Sequence, residues 1–326
     1  MKSNPSSGDS LTCAYINRFD LTVLRLEGSD ALDFLQRIST NEVRDVNHET
    51  MRTTVLCTDK GRILDVVRVV MHPTGLLLLV SRARKEHVMR YLNTYIIMDD
   101  VRVRDASSDW RCAEFFGPRT SSICGEFLGM DIAPFPANRV FVRNGSDYSL
   151  LAFYIEPRLD ESLLALYTTG SSSENIDVDV LASTLMEVDP VDADVWRIEQ
   201  GIPVTDKELT VEHNPLEANL LHLVNFRKGC YIGQEVIARL DSYNKVKVRL
   251  VGLQCTQAVL EGSIVEISNA EPGVVTSACE SPRFGHIALA YIRTEFATDG
   301  AQVVVKNAQD GSECICKVCT LPFRRH

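Results

Sequence analysis

Lys228-Gly229-Cys230-Tyr231-Ile232-Gly233-Gln234-Glu235-Val236-Ile237-Ala238-Arg239 packs a thiol, two glycines, two cations, an anion and an amide into one short run. The run is too polar for core and too specific for a linker. Cations close to Cys230 favour its thiolate, the reactive form of cysteine. Glycines take backbone conformations that other residues resist, or let a ligand approach closely. A buried core thiol would account for Cys230 alone but not for the polar residues on either side. The local chemistry therefore favours an exposed thiol, reactive or ligating. His213 and His222 lie upstream as candidate bases, a pairing that sequence leaves open.

Upstream, Leu21 to Leu26 alternates apolar and polar residues as a strand does, and Gly28-Ser29-Asp30 ends it and caps a helix from about Ala31 to Ile38. Thr53 to Cys57, Ile63 to Met71 and Leu76 to Val80 are apolar or β-branched runs with turns between them, an antiparallel meander. Lys85 to Tyr95 reads as an amphipathic helix and Val101 to Val103 as a strand. The pattern repeats loosely from Trp110: strand Arg111 to Phe116, helix Pro118 to Leu128, strands Val140 to Val142 and Ser149 to Ile155, and a helix from Leu159 to Tyr167. After about Lys245, six short strands broken by Gly, Pro and Asp turns predict a small barrel or sandwich. Two β/α units with meanders predict an α+β core rather than a parallel sheet.

The chain's 326 residues exceed the usual single domain. We expect a region over 1–244 of two interleaved subdomains, with a break near 105, followed by a barrel over 245–326. Composition is that of an ordinary globular protein, and no apolar run approaches the roughly 20 residues of a membrane helix. A net charge of −10 argues against non-specific nucleic-acid binding. It leaves room for a local basic pocket, which Arg239, Lys245, Lys247 and Arg249 could supply. Ten cysteines in a chain this long fit a reducing compartment with free thiols. Met1 to Ser10 has neither a secretory core nor a transit pattern. A bacterial-type cytoplasmic location is expected, with the mitochondrial or plastid matrix as the alternative if a transit peptide was removed.

Arg197-Ile198-Glu199-Gln200-Gly201 closes a helix at Gly201, where Glu199 could take N–H bonds from a heterocycle; a solvated helix end reads the same residues. Asp59-Lys60-Gly61-Arg62-Ile63-Leu64-Asp65 is a turn into an apolar strand, a pocket lining or an ordinary charged hairpin. Cys314-Ile315-Cys316-Lys317-Val318-Cys319 suggests a metal cluster. As a strand it puts Cys314 and Cys316 on one face and Cys319 on the other, which favours small apolar core cysteines.

Together these motifs resemble the YgfZ-type folate-binding proteins, relatives of the glycine cleavage aminomethyltransferases that include an assembly factor for iron–sulfur clusters. The run from Lys228 to Arg239 is similar to that family's signature. Gly28 to Asp30, Phe34 to Gln36 and Thr40 to Val43 (with Glu42 where Asp is usual), Asp59 to Asp65, Arg197 to Gly201, Asn214 to Ala218, Thr276-Ser277 and Ala288 to Tyr291 agree with it. The resemblance implies two intertwined α+β units around a central channel, followed by a C-terminal β-barrel. It implies tetrahydrofolate, or a derivative, held by Glu199 with Arg197, Lys228, Tyr231, Gln234 and Arg239. It also implies a monomer whose partners are folate and iron–sulfur assembly or client proteins. Cys230, kept ionisable by Lys228 and Arg239, becomes a ligand to a transient, shared iron–sulfur cluster. The alternative is a folate-dependent one-carbon transferase with Asp65 at the reacting amine, although Asp65-Val66 replaces the paired Asp-Asp of the aminomethyltransferases.

Overall fold

The computed structural model describes residues 13–128, 138–144, 149–154, 161–168, 181–266 and 273–324; Met1–Ser10 lies outside them. The strands in chain order are β1 (Ala14–Asn17), β2 (Leu21–Glu27), β3 (Arg52–Cys57), β4 (Ile63–His72), β5 (Gly75–Ser81), β6 (Arg102–Asp105), β7 (Trp110–Gly117), β8 (Val140–Asn144), β9 (Ser149–Tyr154), β10 (Glu161–Thr168), β11 (Met186–Glu187), β12 (Val248–Cys255), β13 (Ile264–Glu266), β14 (Gly273–Ser281), β15 (Gly285–Arg293), β16 (Gln302–Lys306) and β17 (Glu313–Cys319). The helices include α1 (Ala31–Ile38), α2 (Lys85–Tyr95), α3 (Thr120–Leu128), Pro190–Glu199 and Gln234–Ser242, and residues 181–184 are also helical. No helix among the described residues is long and apolar enough to cross a membrane. The chain divides into two compact units, Phe19–Ser108 with Asp194–His326, and Met1–Arg18 with Asp109–Ala193.

The larger unit carries a five-stranded antiparallel sheet in the order β3-β4-β5-β2-β6. Its middle strand, β5, is buried on both faces, which is why Leu76 to Val80 reads as an unbroken apolar run. Helix α1 lays Ala31, Phe34, Leu35 and Ile38 onto this sheet at helical spacing. Phe34 and Leu35 are fully buried, contributing about 1.5–3 kcal/mol each. Asp30 stands at the N-cap position, but its carboxylate accepts the Asp100 N–H at 2.8 Å instead of capping the helix.

In the same unit β12-β15-β14-β13-β16-β17 close into a six-stranded barrel. The seam between β12 and β17 pairs Gly252 with Cys319, Leu253 with Val318, Gln254 with Lys317 and Cys255 with Cys316. Along β17, Cys314, Cys316 and Val318 turn into the barrel core, while Cys319 packs with a separate apolar cluster, as the alternation predicts. A bulge interrupts β14 between Val275 and Ser277.

The smaller unit holds the sheet β11-β1-β7-β10-β9-β8. Here one expectation fails: the helix read over Leu159 to Tyr167 is, from residue 161 on, strand β10, while residues 159 and 160 lie outside the described residues. This strand lies between β7 and β9, and Leu163, Leu164, Ala165 and Leu166 are all buried. A strand covered on both faces loses its alternation, so a short apolar run cannot be told from a buried helix by period alone.

Candidate functional site

The Pro190–Glu199 helix ends where Gly201, at φ +65°, turns the chain back and Ile202 N–H bonds the Arg197 carbonyl at 2.8 Å. Glu199 is 4% exposed. Its Oε1 accepts the Ser281 hydroxyl, and its Oε2 lies 3.3 Å from Nη1 of Arg283, whose side chain is 39% exposed. Glu199 is thus a buried, oriented carboxylate adjoining a cation that reaches the surface. Burial, together with the nearby Glu199 charge, pushes the Cys279 thiol up to about 12.

Arg197 is turned elsewhere. Its Nε bonds Asp194, its Nη1 bonds Glu208 at 3.1 Å and its Nη2 bonds Ser277. With all three nitrogens engaged inside the protein, Arg197 is an internal clamp. Glu208 also accepts the Val204 N–H and the hydroxyls of Thr276 and Ser277. Neighbouring strand residues normally face opposite sides; the β14 bulge lets Thr276 and Ser277 reach the same oxygen.

Asp65 is 1% exposed. It accepts the Ser81 N–H at 2.8 Å, the Ser81 hydroxyl at 2.7 Å and the Val66 N–H at 3.0 Å. Burial raises its pKa, and the Ser81 bonds oppose that rise. Since Ser81 gives its only hydroxyl proton to Asp65, Thr205 must donate the 2.6 Å bond between the two hydroxyls. Asp65 is thereby joined to the segment that follows Glu199.

Cys230 is exposed, in a loop anchored on both sides. Lys228 is buried, and its ammonium bonds the carbonyl oxygens of Ser39 and Asn41 and stands 5.4 Å from the Tyr231 ring centroid. Burial brings Lys228 down to about 8. The contacts of the Lys228 ammonium are thus with backbone after α1 and with the Tyr231 ring. On the other side Gly233 takes φ +84°, and a Cβ there would stand 2.7 Å from the Thr58 carbonyl and 3.1 Å from the Gly61 Cα. Only glycine permits this approach. Gln234 Oε1 accepts the Tyr231 N–H at 3.4 Å, bracing the loop, and Arg239 is exposed on the helix beyond. Tyr231 is buried, and among the described residues its hydroxyl has no partner.

Three sequence motifs therefore meet. The Asp59–Arg62 turn touches the cysteine loop through Gly61 and Gly233, and Arg62 Nη1 bonds the Glu212 carbonyl and lies 3.4 Å from Glu217 of the Asn214–Ala218 run. Ile198 and Tyr231, beside Glu199 and Cys230, belong to one apolar cluster. Of the candidate bases, His213 stacks on Tyr291 at 3.6 Å, and His222 is exposed. Of the basic group, Arg249 lines a cavity of about 150 Å³ with Asn219, Asp241 and Asn244. Sequence reasoning missed Glu208 and Ser81, which lie 11 and 16 residues from Arg197 and Asp65, and Ser281 and Arg283, which lie 82 and 84 residues from Glu199. The paired hydroxyls of Thr276-Ser277 were the one visible signal.

Residues 14–141 match the GCVT N-terminal domain, and residues 249–324 match the glycine cleavage T-protein C-terminal barrel domain. Among similar proteins is a chloroplastic one from Arabidopsis thaliana, At1g60990, whose transferase activity its name gives as provisional. It is 28% identical over 293 residues, covering 86% of this chain and 66% of that protein. The aminomethyltransferase of Staphylococcus carnosus is 25% identical over 295 residues, covering 86% of this chain and 79% of that one. The solved glycine cleavage system aminomethyltransferase T of Bartonella henselae superposes with a TM-score of 0.81 at 17% identity, covering 97% of this chain and 87% of that one, a likeness of fold. This chain, built on the GCVT N-terminal domain and the T-protein barrel, belongs to the aminomethyltransferase-like family.

Proposed function

We propose that this chain binds tetrahydrofolate and serves iron–sulfur cluster assembly or repair as an accessory protein, offering Cys230 as its thiol. The observation that carries the reading is the state of the ten cysteines: Cys230 alone is exposed, while the others are buried or partly so. Its loop is fixed by the buried Lys228 on one side and the Gly233–Gly61 approach on the other. An accessible thiol on a rigid mount is what a shared cluster needs, because thiolates are its usual protein ligands. One thiol holds no cluster alone, so a partner protein or small thiols supply the rest.

Folate fits the donor set. A pterin presents N–H groups, and Glu199 is a buried carboxylate already oriented by Ser281 and Arg283. The Tyr231 hydroxyl, which has no partner among the described residues, would gain a bond from a polar ligand. When bound, tetrahydrofolate supplies a nitrogen that carries one-carbon units. The aminomethyltransferases among the relatives support the same ligand, and the chloroplastic relative favours a plastid setting.

The test is anaerobic incubation with a glutathione-supported cluster, with and without tetrahydrofolate, read by visible absorbance. Wild type should take up the cluster and Cys230→Ser should not; equal uptake by both overturns the reading. A second reading rests on Asp65, a buried carboxylate of raised pKa, the kind of group that enzymes use for acid–base work. Methylene- or methyl-tetrahydrofolate formed catalytically from amine or methyl donors, and lost in Asp65→Ala, would favour a one-carbon transferase.

A further inference from the structure

The barrel core contains a group of thiols that this reading does not use. Cys314 and Cys316 point inward from β17, and the seam register sets Cys255, the last residue of β12, opposite Cys316. The three Sγ atoms lie within 4.8 Å of one another. The Cys314 and Cys316 sulfurs are 3.7 Å apart. Two oxygens stand beside them: Thr256 Oγ1 and the Gln257 carbonyl are each 3.5 Å from Cys314 Sγ.

These distances can be set against a tetrahedral zinc site. Metal bonds of about 2.3 Å to sulfur and 2.1 Å to oxygen give tetrahedral edges of about 3.8 Å between sulfurs and 3.6 Å between sulfur and oxygen. The Cys314–Cys316 edge and the edge from Cys314 to either oxygen already match. The Cys255 sulfur lies within 4.8 Å of the other two, so its sulfur–sulfur edges have to shorten by about 1 Å at most, which a small side-chain rotation supplies. Packing alone would be served by valine, as at Val303, Val305 and Val318 in the same core. Three adjacent thiols bring soft donors that packing does not require.

We propose that Cys255, Cys314 and Cys316, with an oxygen from Thr256 or Gln257, form a binding site for a borderline-soft divalent cation of the Zn²⁺ class. Binding exchanges three thiol protons for the metal and leaves one net negative charge, with no redox change. Thr256 and Gln257 are exposed residues, while the three sulfurs beside them are buried. Its ligands come from β12 and β17, the two strands whose pairing closes the barrel, so the ion staples the seam. The Cys314–Cys319 run suggested a metal from spacing, but the set differs: Cys319 lies outside it, and Cys255 comes from the neighbouring strand.

The test uses the full chain, reduced and chelator-treated, in a Cys230→Ser background so that the exposed thiol cannot contribute. Cd²⁺ is followed by its thiolate charge-transfer absorption and Zn²⁺ by competition with a chromophoric chelator. We expect one ion per chain with three thiolate ligands, a raised thermal midpoint, and metal-dependent protection of Cys255, Cys314 and Cys316 from alkylation at a urea concentration that unfolds the metal-free but not the metal-loaded chain. Cys319→Ser should keep all of this. Cys255→Val and Cys316→Val should weaken binding by more than about 100-fold, beyond what an outer-shell change costs. Absence of uptake in the parent, uptake with fewer than three thiolates, or unchanged uptake in Cys255→Val overturns the proposal. If a valine variant does not fold, the thiolate count and the protected cysteines of the parent and of Cys319→Ser decide it.

Discussion

Replacing Arg197 with Met removes a cation that joins Asp194, Glu208 and Ser277 inside the protein. Glu208 has no exposed surface, and it would keep three donors: the Val204 N–H at 3.0 Å, Thr276 Oγ1 at 2.8 Å and Ser277 Oγ at 2.6 Å. Breaking a buried pair from one side costs about 3–5 kcal/mol, and the surviving bonds place Arg197→Met near the lower end, at about 3 kcal/mol. Glu208→Gln keeps the shape but turns an N–H₂ toward donors, at about 2–3 kcal/mol. If the two charges act as a pair, the double variant costs about 3–4 kcal/mol rather than the summed 5–6, a coupling of about 2 kcal/mol. The chain has two tryptophans, so Trp110→Phe leaves Trp196, the neighbour of Arg197, as the sole reporter. Urea unfolding followed by its fluorescence measures all four proteins. An Arg197→Met cost below about 1 kcal/mol, or costs that add within about 0.5 kcal/mol, would refute the internal clamp.

Burial lowers Lys228 from 10.5 to about 8, so between those values the unfolded chain binds the extra proton. Lys228's contribution to stability should therefore rise with pH across that window. The difference in unfolding free energy between wild type and Lys228→Met, measured from pH 8 to 10.5, checks this; a flat or falling difference contradicts it. Gly233→Ala should cost about 2–4 kcal/mol, combining a left-handed backbone with a clash against Thr58 and Gly61. Gly229→Ala in the same loop meets nothing within 4 Å and should stay within about 0.5 kcal/mol. Native iodoacetamide labelling should modify Cys230 first, and peptide mapping that finds a buried cysteine reacting as fast would count against the exposed loop.

Much of this was legible in the sequence because local pattern and burial agree. The alternation of β13, β16 and β17, the unbroken apolar run of β5 and the helical spacing of Phe34, Leu35 and Ile38 each follow from the one-dimensional pattern. The same logic failed at β10, where burial on both faces removed the alternation. Within the site, the segments could be picked out from the chain but the direction of their side chains could not. Arg197 and Lys228 are cations in suggestive motifs, yet one faces Glu208 and the other faces backbone after α1, partners 11 and 189 residues away. Ser281 and Arg283 hold Glu199 from more than 80 residues downstream, and no local signal announces that. Cys255 joins Cys314 and Cys316 only through strand register.

The bulge in β14 bears on where this protein can be cut. It hands both Thr276 and Ser277 to Glu208, and the outer wall of the barrel gives Leu250, Ile287, Leu289 and Tyr291 to an apolar cluster shared with Ile198 and Tyr231. A chain severed at residue 244 would strip two accepted hydrogen bonds from the buried Glu208 carboxylate (Thr276, Ser277) and two from Glu199 (Ser281, Arg283) on one piece, and bare that apolar wall on the other. The barrel is a module in outline but not in energetics. Its strands close on themselves, while its solvent-excluded exterior belongs to the segment that carries Glu199, so the two should unfold as one cooperative body.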